Sequence, residues 1–266
     1  MPLELLRFEM LLPAFCLVVA RVSGIMLSVP MLASNQIPRV VKVWFVVTLS
    51  LIVFPLVAQT LPRSLTLGQV AVGMLGELVV GEVLGLGASV VFLAVQIAGK
   101  VVSHQSALAA GQVFNPVMDM DMTVLDQVWY FAALMLFFAL RGHLAVLDVL
   151  LGSFRTVPPL TLFVDTSLAE FLVAMLRSIF EMAVRLAGPV ILALLLTSLI
   201  MGFIAKTMPQ LNILSVGFSL KIATALVMVA TTISFSGDLM TDALFTGLDQ
   251  VGLLFELLSE VAIHAG

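Results

Sequence analysis

Between Gly68 and Ala98 runs an apolar stretch of 31 residues whose only charges are Glu77 and Glu82. As one helix it would be about 46 Å long, against a bilayer hydrocarbon core of about 30 Å, so a simple perpendicular span does not fit. Gly73, Glu77, Gly81 and Gly85 recur at every fourth position, which lines them up as a small-residue groove with one carboxylate in it. Such a groove predicts a closely packed neighbouring helix. For Glu77 and Glu82 two readings stand: pairing with lysine or arginine on adjacent helices, or a proton-relay carboxylate.

The rest of the chain is built in the same way. With 61% hydrophobic residues, 11% charged and a mean hydropathy of +1.20, its 266 residues lack the polar surface of a soluble globule, which is typically about 25% charged. The expected class is an all-α, membrane-associated protein in contact with lipid. A net charge of -4 without any basic run lacks the electrostatic footprint of a nucleic-acid binder, so no nucleic-acid partner is expected. The single cysteine, Cys16, can form no intrachain disulfide and reads as a small buried hydrophobe. The N-terminus reads as retained, because Arg21 interrupts the unbroken apolar run that a signal peptide requires.

The longest break in this apolarity is Gly99 to Asp126. Gly111 and Asn115-Pro116 oppose a helix, since proline has no amide proton and restricts the residue before it. Beyond them Met118, Asp119, Met120, Asp121 and Met122 alternate, so an extended chain directs three thioethers one way and two carboxylates the other. Flexible thioethers suit a deformable seal. The plainer alternative is a polar surface loop with its methionines tucked onto a core.

Taken in order, the other segments run from about Met10 to Leu32 with Arg21 near the middle, then Val43 to Ala58, Val124 to Phe154, a helix from an N-cap at Thr166, Val190 to Ala205, Phe218 to Ile233 and Gly237 to Glu260. An arginine at membrane depth costs a few kcal/mol or more, so Arg21 must face protein, water or a headgroup. Arg141-Gly142-His143 predicts a kink or hairpin tip, and Gly188-Pro189 allows another kink. Arg177, Glu181 and Arg185 form a four-spaced ladder that either neutralises itself or docks a neighbouring subunit. Asp242, Asp249 and Glu256 line one face of an amphipathic last helix. Charge bias gives no topology, because lysine and arginine are scattered over nearly every connection. Helical hairpins that assemble with other subunits suit the overlong segment and mid-segment charges better than a self-contained bundle.

Signatures of catalysis and of metal or cofactor binding are missing. There is no H-E-x-x-H, no cysteine-histidine cluster, no phosphate loop and no G-x-S-x-G, so neither an enzyme nor a metal or cofactor is expected. A stand-alone ion-coupled transporter or channel using Glu77, Glu82 and Lys100 is the competing class, weakened by the lack of paired broken helices.

Arg21-Val22-Ser23-Gly24, Pro30, Ile37-Pro38-Arg39, Gly76-Glu77, Gly81-Glu82, Gln96-Ile97-Ala98-Gly99, Asn115-Pro116, Gly142-His143, Ser153-Phe154 and Pro189 carry a resemblance, together with Pro209-Gln210-Leu211-Asn212 and the following Gly217-Phe218 and Lys221. With these the chain resembles the FliR family of flagellar export-gate proteins, called SctT in injectisomes, over about Arg21 to Ile222. Ala187, Pro189, Gly202, Gln210, Asn212, Phe218 and Lys221 also resemble the small protein FliQ. The resemblance implies a FliP-like part over 1–165 and a FliQ-like helical hairpin over 166–266, kinked hairpins that join a helical, ring-like gate. It further implies one copy of this chain beside FliP and FliQ, with FlhB around the mouth and FlhA as a further partner, in the bacterial inner membrane at the flagellar basal body. Unfolded rod, hook and filament proteins would pass through the pore. The central loop, about 106–122, would plug it with Phe114, Asn115, Pro116, Met118, Met120 and Met122. Arg21, Glu77, Gly81, Glu82, Gly85, Arg177, Glu181, Arg185, Pro209, Gln210, Asn212 and Lys221 would serve subunit packing. Asn115 replaces the family's commoner acidic residue, and Lys206 stands where arginine is frequent.

Overall fold

The structure, a computed structural model, describes residues 2–29, 37–57, 66–106, 108, 123–160, 166–208, 210 and 212–265. The described residues form eight helices: α1 Pro2–Ser28, α2 Arg39–Val57, α3 Leu67–Gln105, α4 Val124–Ala139, α5 Gly142–Thr156, α6 Thr166–Thr207, α7 Ile213–Phe235 and α8 Gly237–Ala265. The protein is an all-α membrane protein. Among the described residues, by length and composition, four helices can cross a bilayer, or five if α4 and α5 together form one bent span.

Local chemistry explains most boundaries. α1 starts earlier than expected and stops at Ser28, two residues before Pro30, whose ring disfavours helical backbone at Val29. Thr66 and Gln69 cap α3 reciprocally, Thr66 N donating to Gln69 Oε1 at 3.0 Å and Gln69 N to Thr66 Oγ1 at 3.4 Å. α3 also overruns its expected end at Ala98, reaching Gln105 for 39 residues, or about 58 Å. Between α4 and α5 the axis turns by 65°, and Arg141 takes the left-handed conformation at φ 56°, so the expected break is a kink. Gly188-Pro189 does not divide α6, which runs on for 42 residues. Gly188 has no Cβ to collide with the proline ring, which removes one part of the cost; the missing amide bond and the crowding of the Arg185 carbonyl by the ring remain.

The chain forms two compact units, each drawn from separated stretches. The first comprises Met1–Val90, Arg141–Leu176 and Leu244–Gly266; the second comprises Val91–Leu140 and Arg177–Ala243. In the first, α2 packs on α1 with Val46, Ser50, Val53 and Val57 buried, and Phe15 meets Phe54 edge to face at 5.6 Å. Gly87 of α3 and Gly247 of α8 cross closely there, since a Cβ on either would strike the other's carbonyl oxygen. In the second, Phe92 meets Phe137 edge to face at 5.4 Å, and Trp129 is fully buried. Cys16 is half-buried instead of fully enclosed.

Candidate functional site

The first unit is centred on a buried charge. Arg21 follows Leu17 and Val18 on the inner face of α1 and is 0% exposed. Its Nε donates to Glu77 Oε2 of α3 at 2.5 Å, Nη1 to Ser153 Oγ of α5 at 3.0 Å, and Nη2 to the Val157 carbonyl at 3.0 Å. The guanidinium lies 4.1 Å from the Phe154 ring centroid. Ser153 Oγ donates its own hydrogen bond to the Leu150 carbonyl at 2.7 Å. Glycine makes this possible. A Cβ on Gly81 would strike the Arg21 carbonyl oxygen, one on Gly24 would strike that of Leu78, and one on Gly85 would lie 2.6 Å from Ser28 Cβ. The backbones of α1 and α3 therefore touch, and the four-spaced groove is filled by the chain's own first helix.

Glu77, 2% exposed, thus has a guanidinium partner inside the chain. Because Arg21 and Glu77 neutralise each other, this pair is no reason for the chain to need another subunit. Glu82 is half-buried and has no ion-pair partner among the described residues.

In the second unit the two ends of the long polar break meet. A Cβ on Gly99 would lie 2.9 Å from Asp126 Oδ1 and 3.0 Å from Asp126 Cα. Ser103 Oγ donates to Asp126 Oδ1 at 2.8 Å and lies 2.5 Å from Thr123 Oγ1. Thr123 N donates to Asp126 Oδ2 at 2.8 Å, and Asp126 N to Thr123 Oγ1 at 3.3 Å. Each hydroxyl has one proton, so with Ser103 committed to the carboxylate, Thr123 must donate to Ser103. The result is a closed ring that satisfies a 2%-exposed carboxylate with neutral donors. It ties the last turn of α3 to the first turn of α4.

The remaining candidates are spread along α6 and α7. Arg185 Nη2 bonds Glu181 Oε1 at 2.5 Å on the surface, while Arg177, also exposed, stands outside that pair. Gln210 is exposed, and Asn212 caps α7 by accepting from Ser215 N at 3.4 Å. Lys221 is half-buried at the rim of a hollow of about 410 Å³ between Gly202 and Ala205 of α6 and Gly217 and Phe218 of α7. Phe114, Asn115, Pro116, Met118, Met120, Met122 and Pro209 lie outside the described residues. Among the described residues no group of three histidine, cysteine or acidic side chains could hold a metal ion.

Sequence reasoning missed the ring. Its signal was present, since Thr123-x-x-Asp126 before an apolar run has the pattern of a capping box. Ser153 and Phe154 had been noted without a role, and nothing in their spacing from Arg21 announces contact.

The family model described as bacterial export proteins, family 1, matches residues 12–246. The chain is 30% identical over 228 residues to the flagellar biosynthetic protein FliR of Bacillus subtilis (strain 168), covering 84% of this chain and 87% of that protein. It is 26% identical over 245 residues to the flagellar biosynthetic protein FliR of Escherichia coli (strain K12), covering 91% and 92%. It is also 26% identical over 161 residues to the secretion system apparatus protein SsaT of Salmonella typhimurium (strain LT2), covering 60% and 61%.

Proposed function

The chain belongs to family 1 of the bacterial export proteins, the FliR family, and is a membrane component of a type III export apparatus; from that premise we propose that it is the single-copy subunit of a protein-conducting gate built with FliP and FliQ. In this reading residues 1–165 play a FliP-like part, and the hairpin of 166–266 a FliQ-like one. FlhB and FlhA adjoin the complex in the inner membrane of the flagellar basal body. Unfolded rod, hook and filament proteins pass through it.

The observation that carries the reading is how little the chain covers its own apolar helices. Within their most apolar windows only 28% of α6 and 11% of α7 is buried. Val184, Phe203, Val216 and Val227 point outward, and the hollow beside Lys221 has Gly202, Ala205 and Gly217 in its wall, small residues that admit a close neighbour. Neighbouring subunits supply the missing cover. The central loop closes the channel at rest, with Phe114, Met118, Met120 and Met122 forming a yielding apolar plug around Asn115-Pro116.

The test is the mass of the complex that co-purifies when the chain is expressed with the neighbouring genes of its operon. A hetero-oligomer containing one copy of this chain is expected. A stable, monodisperse monomer that conducts ions or carries a small solute by itself would contradict the proposal.

A further inference from the structure

We infer that the outer face of α2 is a lipid anchor: its apolar arc lies against acyl chains, Trp44 sits at headgroup level, and Arg39 meets the phosphate of an anionic phospholipid. Length is the first reason. The 19 residues of α2 rise about 28 Å, close to a hydrocarbon core of about 30 Å, whereas α3 and α6 both exceed it by far. Its surface is the second. Val46, Ser50, Val53 and Val57 form one buried strip, and only 22% of the helix's most apolar window is covered by the chain. Val41, Trp44, Phe45, Leu51, Ile52 and Leu56 are exposed over an arc of about 160°, in which Thr48 is the one polar side chain. A neighbouring helix packs closely where residues are small, and α2 contains neither glycine nor alanine, unlike the hollow at Gly202, Ala205 and Gly217. Branched and aromatic side chains suit fluid acyl chains instead.

Charge tells which end is wet and what meets it. Trp44, 67% exposed, lies about 8 Å along the axis from Arg39, and an amphipathic ring beside a long cation marks a membrane interface. From Met10 to Gly76 the chain has no aspartate or glutamate, and Glu77 just beyond is taken by Arg21. Lys42, one turn on, is half-buried and already has a partner. Arg39 is exposed and has no ion-pair partner among the described residues. The anion it lacks there is supplied by the headgroup layer, where anionic lipids attract cations.

The experiment uses the co-expressed complex in vesicles of phosphatidylcholine and phosphatidylglycerol. A nitroxide on Leu51→Cys, with Cys16→Ala as background, should be relaxed by dissolved oxygen and shielded from a water-soluble nickel chelate. Relaxation by neither reagent means that a neighbouring subunit covers α2, and relaxation by the chelate places the face in water; either result overturns the inference. Brominated lipids read the headgroup end, with Trp44→Phe identifying the quenching that belongs to Trp44. Brominated phosphatidylglycerol should quench it more than brominated phosphatidylcholine. Arg39→Gln should reduce that preference, taken as the ratio of the two quenching constants, about fivefold, the loss expected for one cation at a membrane surface. Arg39→Lys, which keeps the charge, should retain it. Equal quenching by the two lipids, or a preference that Arg39→Gln leaves intact, overturns the role of Arg39. Should Arg39→Gln fail to assemble, high salt takes its place: screening must abolish the preference of the unaltered complex, and a preference that survives it counts against Arg39 in the same way. None of these readings depends on which subunits adjoin the chain.

Discussion

α3 and α7 are both apolar enough to cross a membrane, yet the chain buries 72% of the most apolar window of α3 and 11% of that of α7. Hydropathy does not distinguish them; small residues and their partners do. α3 has Gly81 and Gly85 pressed against the backbone of α1, with Arg21 closing on Glu77 at 2.5 Å. α7 has Gly217, where an added Cβ would meet only Met201 Cε at 3.7 Å. A glycine already in backbone contact marks an interface completed within the chain. A glycine beside open space marks one left for another molecule.

The sharpest way to break this comparison is to unpair the charge under α3. Glu77→Ala should destabilise the chain by about 3–5 kcal/mol, because Arg21 is then buried without a counter-charge. Loss of folded protein during detergent extraction would report it. Replacing both partners together, Arg21→Met with Glu77→Leu, should recover most of that loss; a double variant as unstable as the single one would deny the charge its importance.

Next comes a pair of glycine substitutions, one on each kind of surface. Gly81→Ala drives a methyl into the Arg21 carbonyl, which is backbone and cannot swing away, and should cost about 1–3 kcal/mol in thermal melts of the chain. Gly202→Ala, with nothing within 4 Å, should leave the chain's own melting unchanged or raise its stability by up to about 1 kcal/mol, since alanine is the better helix former. Recovery of partner subunits with Gly202→Ala should nonetheless fall, because the methyl enters the hollow beside Lys221. Equal destabilisation by both would erase the distinction.

The smallest expected effect on the chain itself is at Glu181. Its bond to Arg185 joins side chains that are 52% and 61% exposed, so Glu181→Lys should change the chain's stability by less than about 1 kcal/mol. Three like charges would then share one face, and co-purification of partners should be lost. Normal assembly would reduce the ladder to a self-neutralised surface.

Much of the helical framework was legible because apolar periodicity and breakers are local. The groove of Gly73, Glu77, Gly81 and Gly85 could be read from spacing, but its occupant could not. Arg21 lies 56 positions from Glu77 and 132 from Ser153, and only folding shows that three separately noticed motifs meet at one guanidinium. The break from Gly99 to Asp126 was read as a loop, yet helix occupies its first residues and its ends touch, because hydroxyls and a carboxylate satisfied one another where hydropathy saw only polarity. Gly188-Pro189 allows a kink, yet the helix continues through it for 42 residues: a breaker motif reports the cost of continuing a helix and says nothing of what offsets it. The methionines proposed as a plug lie outside the described residues, so their part rests on alternation and resemblance alone.

Site-directed photo-crosslinking from the two kinds of helix tests the central claim most directly. A photoreactive residue at Val227 of α7 or Phe203 of α6, both outward-facing, is compared in the co-expressed complex with one at the fully buried Val95 of α3. The account predicts adducts to other protein subunits from Val227 and Phe203, and only intrachain products from Val95. Lipid adducts alone from both outward positions would contradict it, for these faces would then belong to the bilayer and the chain would need no neighbours to complete it.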